Sequence, residues 1–319
     1  MIKGSSIFMT GGAGFIGSAL IRRLIENNRV TVYDNLHRDA LKHTGLAEHP
    51  NLKFVHGDVL DAASVDRSIG DSDIVVHLAA IAGVDTVLSM PVRTMEVALI
   101  GSYNMLKACA GRKGIKRFID FSTSEVYGAV ARDVKESDAT PVGAVGEARW
   151  TYAVSKLAAE HLAFSYYLQQ KLPAVSIRPF NIFGPMQVGI GAIHLFVKSA
   201  LKGETLRLNN GGSQVRSWCY IDDIADAVLL CMEKEAAVGE AFNIGNPRNT
   251  LSIKELAGMV VRISGSSSGI VDEKKDAPDV EIRCPDISKA ERILGFSPKV
   301  GLEEGLKRTI DWYRENLNG

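Results

Sequence analysis

A short apolar run, Ser6-Ile-Phe-Met9, leads straight into Thr10-Gly-Gly-Ala-Gly-Phe-Ile-Gly17, and an amphipathic stretch begins at Phe15. Glycines at 11, 14 and 17 stand where a strand must turn sharply into a helix. Gly11 permits the tight turn, Gly14 clears the approach to the helix N-terminus, and Gly17 allows close helix packing. A helix N-terminus presented in this way gathers unpaired N–H groups and the positive end of the helix dipole, which suits a pyrophosphate. From Phe15 to Asn28, Ile16, Ala19, Leu20, Arg23 and Leu24 recur at helical spacing. A strand followed by such a helix returns as a parallel neighbour, so this unit commits the chain to β-α-β construction.

The rhythm continues. Val30-Thr-Val-Tyr33, Leu52-Lys-Phe-Val55, Ile74-Val-Val-His77, Arg117-Phe-Ile-Asp-Phe121 and Ala174-Val-Ser-Ile177 are short runs of strand type, most of them bounded by turn residues. Helical patterns occupy Pro91 to Ala110 and Arg149 to Gln170. The expected fold is α/β: a doubly wound Rossmann parallel sheet covered on both faces, with a smaller mixed α/β substrate-binding domain. The nucleotide-binding domain is placed at 1–178, with a returning segment near 214–244. The substrate-binding part is placed mainly at 179–319, where apolar runs become irregular and an amphipathic helix, Leu302 to Leu317, closes the chain.

Composition narrows the function. With 46% hydrophobic residues among 319, the chain has enough apolar material for two packed domains. Lys plus Arg equals Asp plus Glu at 37, so there is no basic footprint for nucleic acid or an anionic membrane, and neither partner is expected. Cysteines at 109, 219, 231 and 284 form no CxxC pair, and the histidines form no HExxH, so no metal is expected. No signal-like apolar segment opens the chain, and a cytoplasmic location is expected.

Asp34 ends the second strand run 23 residues after Gly11, where a carboxylate binds an adenosine ribose. It repels a 2′-phosphate, so the expected dinucleotide is NAD. Asp58 follows the third run and either reaches the adenine edge or caps the helix beginning near Asp61. Tyr152 and Lys156, four residues apart, share one helix face. A tyrosine acts as a base at neutral pH only beside a cation, and Lys156 supplies one.

Further strings join these: Asp34-Asn-Leu36, Gly57-Asp-Val-Leu-Asp61, His77-Leu-Ala-Ala80, Ser122-Thr-Ser-Glu-Val-Tyr-Gly128, Arg178-Pro-Phe-Asn-Ile-Phe-Gly-Pro185, Arg216, and Tyr220-Ile-Asp-Asp223. From Thr10 to about Trp312 the chain resembles extended short-chain dehydrogenase/reductases of the nucleotide-sugar epimerase, dehydratase and decarboxylase group. The resemblance implies that NAD is held by Gly11, Gly14, Phe15, Ile16, Gly17, Asp34, Asn35, Asp58, Val59, Leu78, Ala79, Ala80, Tyr152, Lys156 and Pro179. It implies Tyr152 as the base for the sugar hydroxyl, Lys156 on the nicotinamide ribose, and Thr123 on the same sugar oxygen. Asn181 and Arg216 would meet the substrate diphosphate, a UDP-sugar first among candidates. Family members commonly pair through two helices, and a homodimer is expected.

Oxidation at C4 of the sugar has three sequels: hydride return to the other face, loss of the C6 hydroxyl as water, or loss of a C6 carboxylate. Thr123-Ser-Glu125 resembles UDP-glucuronate decarboxylases and GDP-mannose dehydratases, whereas dTDP-glucose dehydratases carry Asp where Ser124 stands. Arg149 in Arg-Trp-Thr-Tyr152 resembles bifunctional decarboxylases and suits a substrate carboxylate, or it supports the loop before the helix. Ala82-Gly-Val84 is epimerase-like, and Met186 replaces the arginine common in decarboxylases. UDP-uronate decarboxylation leads, with Thr123, Glu125, Tyr152 and Lys156 as the catalytic set. Epimerisation and 4,6-dehydration remain open.

Overall fold

The computed structural model describes residues 2–189, 191–274 and 280–316. The strands are β1 (Ser6–Thr10), β2 (Arg29–Asp34), β3 (Leu52–His56), β4 (Ile74–His77), β5 (Arg117–Phe121), β6 (Val130–Val134) and β7 (Ala174–Pro179). Shorter ones follow: β8 (Ile182–Phe183), β9 (Leu206–Asn209), β10 (Val215–Ser217), β11 (Cys219–Tyr220), β12 (Ala241–Ile244), β13 (Thr250–Ser252), β14 (Ile270–Glu273) and β15 (Ile282–Pro285). One large sheet runs β12-β7-β5-β4-β1-β2-β3, parallel at every pairing. A mixed sheet runs β13-β10-β15-β6, antiparallel at β10–β13.

The large sheet is buried on both faces, and its strands read accordingly. Ile7 and Met9 of β1 point to one side, where Leu20, Ile21 and Leu24 of α1 (Phe15–Leu24) cover them. Phe8 points to the other side, beneath α2 (Ala62–Ile69) and helices of the next segment. That segment contains α3 (Val84–Ser89), α4 (Pro91–Met95) and α5 (Gly101–Ala110), followed later by α6 (Thr151–Gln170). The remaining helices are α7 (Ala192–Lys202), α8 (Ile221–Glu233), α9 (Ile253–Ser264), α10 (Ser288–Leu294) and α11 (Leu302–Asn316). Ile193 and Phe196 of α7, Leu256 and Val260 of α9, and Leu306 and Ile310 of α11 form the second core.

Three expectations are refined. The first helix stops at Leu24, because the Asn28 side chain donates to the Leu24 carbonyl at 2.8 Å and accepts from the Ser5 N–H. The stretch from Pro91 to Ala110 is two helices joined by a π-helical turn, Glu96–Ile100, which rotates the apolar stripe. The two sheets exchange segments across residue 178. Strand β6 leaves the first part to join the mixed sheet, while α8 and β12 return to the large one. Strand order reverses between β1 and β4, and that crevice, at the carboxyl ends of the strands, is where a ligand site forms.

Candidate active site

A cavity of about 570 Å³ opens at this reversal. Its lining includes Gly11, Gly14, Phe15, Ile16, Gly17, Asp34, Asn35, Asp58, Val59, Leu78, Ala79 and Ala80. Gly11 has φ +68°, and a Cβ there would fall 2.7 Å from the Ala79 nitrogen. A Cβ on Gly17 would fall 2.5 Å from the Gly12 backbone, so α1 rests directly on its own turn. Both Asp34 carboxylate oxygens accept backbone N–H groups, from Ala13 at 3.0 Å and Leu36 at 2.8 Å. Burial raises the Asp34 carboxyl above its usual range, and these two bonds oppose the rise. A side-chain-free turn, a helix N-terminus and a fixed carboxylate fit a dinucleotide.

Asp61, not Asp58, caps α2, accepting from the Ser64 N–H at 2.9 Å. Asp58 faces the cavity and pairs with Arg93. Arg38 is another lining residue that local sequence reasoning missed: it donates to the Ala82 carbonyl at 2.6 Å. A Cβ on Gly189 would fall 2.6 Å from its guanidinium carbon, so Arg38 ties together three loops. Pro179, which ends β7, and Tyr152 and Lys156 of α6, all three expected at the cofactor, lie outside this cavity's lining.

The second half of the site is carried by α6. Tyr152 lies in its first turn and Lys156 one turn later. Thr123, two residues past β5, lies close enough to Tyr152 to favour its phenolate. Burial pushes the Tyr152 hydroxyl well above the usual tyrosine range and the Glu125 carboxylate adds to this; Thr123 and Arg38 pull it back. Lys156 is only 1% exposed and donates to the Phe121 carbonyl at 2.5 Å. Burial lowers its pKa, opposed by Asp120.

Glu125 sits in a short 3-10 turn, Ser124–Tyr127, and its own N–H donates to Thr123 Oγ1, the capping side chain, at 3.2 Å. Its carboxylate meets Arg149 at 2.7 and 3.3 Å and Arg283 at 3.6 Å. Burial would raise its pKa; Arg283 and then Arg149 outweigh that and hold it below the usual carboxylate range. Arg149 is buried and lies over the Trp150 ring at 5.0 Å. Arg216 donates to the Val280 carbonyl at 2.6 Å and also acts electrostatically on Glu125. Arg283 was not foreseen. The pairing of β10 with β15 sets Arg216 opposite Arg283, a long-range register that no local spacing signals. The Asn181 carbonyl oxygen Oδ1 is buried with no hydrogen-bond partner among the described residues.

No group of three or more His, Cys, Asp or Glu among the described residues is placed to hold a metal ion. No helix among them is long and apolar enough to cross a membrane.

Residues 7–245 match the NAD dependent epimerase/dehydratase family. The chain belongs to that family. As an NAD-dependent epimerase/dehydratase-family enzyme, it is 37% identical to the UDP-N-acetyl-alpha-D-glucosaminuronate decarboxylase of Bacillus cytotoxicus, over 97% of this chain and 98% of that one. It is 30% identical to the dTDP-glucose 4,6-dehydratase of Neisseria gonorrhoeae, over 98% of this chain and 96% of that one. Its fold superposes with TM-score 0.90 on the UDP-glucuronic acid 4-epimerase of Bacillus cereus in complex with UDP-glucuronic acid and NAD. That match has 31% identity and covers 98% of this chain and 99% of the other.

Proposed function

We propose that this enzyme decarboxylates a UDP-linked uronic acid through a transient 4-keto sugar. One observation carries the reading: three guanidinium groups, Arg149, Arg283 and Arg216, converge on the Glu125 carboxylate, with Arg149 and Arg283 within ion-pair distance of it. A nucleotide sugar bearing both a diphosphate and a C6 carboxylate presents the planar and tetrahedral anions that guanidinium groups bind through charge-assisted hydrogen bonds. The decarboxylase relative at 37% identity supports the same reaction class.

NAD, bound in the cavity above, supplies reversible hydride acceptance at C4 of the sugar. Tyr152 takes the proton of the C4 hydroxyl, while Thr123 hydrogen-bonds the same oxygen and Lys156 holds the ribose and favours the phenolate. The resulting ketone lies β to the C6 carboxylate. The C5–C6 bond breaks, its electron pair passes to the C4 ketone as an enolate, and carbon dioxide leaves. C5 then takes a proton, and Tyr152 would give its proton back to O4 when the bound cofactor had restored the C4 hydrogen. One proton is consumed per turnover. Arg216 and Asn181 hold the diphosphate, and Arg149 meets the carboxylate before it leaves.

The deciding experiment incubates the enzyme with UDP-glucuronate, UDP-N-acetylglucosaminuronate and UDP-glucose, and reads product masses and sugar NMR. Loss of carbon dioxide from a uronate supports the proposal. Unchanged mass with inversion at C4 makes the enzyme an epimerase, and loss of water from UDP-glucose makes it a dehydratase.

The assembly proposed with this function is a homodimer. Val92 (70% exposed) and Tyr103 on the helices between Pro91 and Ala110, with Phe164 and Leu168 (60%) on α6, leave apolar faces open on two neighbouring helices. A second copy covers both. Light scattering at micromolar concentration tests it, and a monomer's mass removes it. Four free, buried thiols suit a reducing, cytoplasmic compartment.

A further inference from the structure

A row of polar side chains crosses the large sheet in a single register. Thr10 of β1 stands beside His77 of β4, His77 beside Asp120 of β5, and Asp120 beside Ser176 of β7. Residues in register on parallel strands point to the same face, and this face lies beneath α5 and α6. All four are buried, Asp120 at 1% exposure. Thr10 Oγ1 and His77 Nδ1 are 2.7 Å apart, His77 Nε2 meets Ser102 Oγ of α5 at 3.0 Å, and Ser176 Oγ donates to Asp120 Oδ2 at 3.0 Å.

The charged groups facing Asp120 come from one helix. Lys156 and Glu160 of α6, one turn apart, both act on it. Glu160 is committed to Arg178, with contacts from 2.7 to 3.1 Å, so it offers Lys156 little. His77 is held neutral, its pKa lowered to about 3 by burial and by Lys156. Lys156 therefore has the Phe121 carbonyl as hydrogen-bond acceptor, and the carboxylate of Asp120, the adjoining residue on the same buried face, acts on it through space without a direct ion pair. A buried ammonium without a counter-charge sheds its proton.

We propose that Asp120 is a positioning residue for the reaction, the buried counter-charge that keeps Lys156 an ammonium with Nζ on the Phe121 carbonyl. Burial pushes the Asp120 carboxyl up to about 6, with Lys156 pulling it down and Glu160 pushing it up, so this carboxyl is mostly ionised at neutral pH. Asp120 also opposes the Tyr152 phenolate directly, and it serves the reaction through the lysine.

The inference rests on the Tyr152–Lys156 chemistry proposed above, so its first test uses no substrate. Thermal melting is compared from about pH 6 to about pH 8, spanning and passing the titration of a carboxyl raised by burial. Lys156→Met strands the Asp120 charge, and its melting temperature should fall across this window relative to wild type. Lys156→Met with Asp120→Asn should lose that fall. Equal pH dependence in the single and double variants overturns the pairing. The second test is kinetic. Asp120→Asn should lower kcat about 10-fold at neutral pH and move its alkaline limb down by about one pH unit or more. KM for the nucleotide sugar should stay within about twofold, as expected when an interaction made only in the transition state is lost. Ser176→Ala, which removes a hydrogen bond and keeps the charge, should leave the limb in place. Superimposable profiles for Asp120→Asn and wild type overturn the functional role. Where Asp120→Asn fails to fold, the apolar Asp120→Leu takes its place in both tests. Absence of turnover by wild type on every sugar tried counts against the proposed reaction, and the melting test still decides the counter-charge.

Discussion

The Arg149 guanidinium grips the Glu125 carboxylate at 2.7 and 3.3 Å from a turn 24 residues further along the chain. With Arg283 on the same carboxylate, Glu125 is an ionised group from the outset. It can accept a proton or place negative charge, and it cannot donate one at neutral pH. In the proposed reaction a substrate carboxylate entering here would compete with Glu125 for Arg149, linking binding of the sugar to release of the glutamate.

Glu125→Gln keeps the volume and removes the charge. Product formation should fall about 100-fold or more, the range for loss of an acid–base group. Tyr152, Lys156 and Thr123 are untouched, so reduced-cofactor absorbance should still build up on mixing with substrate, whereas Tyr152→Phe should show none. Normal turnover by Glu125→Gln with C4 inversion would establish an epimerase.

Arg149→Gln separates a substrate ligand from a loop support. Loss of a charge-assisted contact costs about 1.5–3 kcal/mol, or about 10- to 150-fold in affinity. Titration should show that loss for UDP-glucuronate and little change for UDP-glucose. Equal weakening of both ligands assigns Arg149 to scaffolding of Glu125.

Gly17→Ala places a methyl 2.5 Å from the Gly12 backbone, where no side chain can move aside. The start of α1 must shift away from the turn, at a cost of about 1–3 kcal/mol. Melting temperature and affinity for reduced cofactor, read by its fluorescence, should both drop. Gly258→Ala, in open space inside α9, should lower neither, and the better helix former raises the melting temperature slightly.

His77 makes stability fall with acid. Its folded pKa is lowered to about 3, chiefly by burial, against an unfolded value of about 6.5. Between those values the unfolded chain binds a proton that the folded one refuses, so stability declines as pH drops through the window and levels off below it. Asp120 acts in the opposite sense: its raised pKa costs stability as pH rises from about 4 to about 6. Replacing His77 with Gln, which keeps one donor and one acceptor, should flatten the acid decline in chemical denaturation curves. An unchanged decline assigns it to other groups.

Glu125 acts in the same sense as His77 and opposite to Asp120. Its depressed folded pKa contributes stability that is present above the unfolded value of about 4.3 and is lost as pH falls through the folded value. Glu125→Gln should therefore reduce stability at neutral pH and lessen the difference from wild type in strong acid.

What the sequence determined by itself is what short-range geometry dictates. Gly11, Gly14 and Gly17 mark a strand-to-helix turn because only glycine tolerates that backbone and that proximity, and their cavity forms where they stand. Tyr152 and Lys156 share a helix face because 3.6 residues make a turn, and Asp34 falls at a strand end because the alternating runs locate that end. Tertiary structure alone decided the electrostatics. Arg283 meets Glu125 across a strand pairing, Arg38 reaches Ala82 between loops, and Asp120 stands between His77 and Ser176 because three strands agree in register. Such contacts join residues tens to more than a hundred positions apart, and local spacing carries no record of them. Charge acts through space, so the state of each ionisable group follows from which distant strands and loops the fold brings beside it.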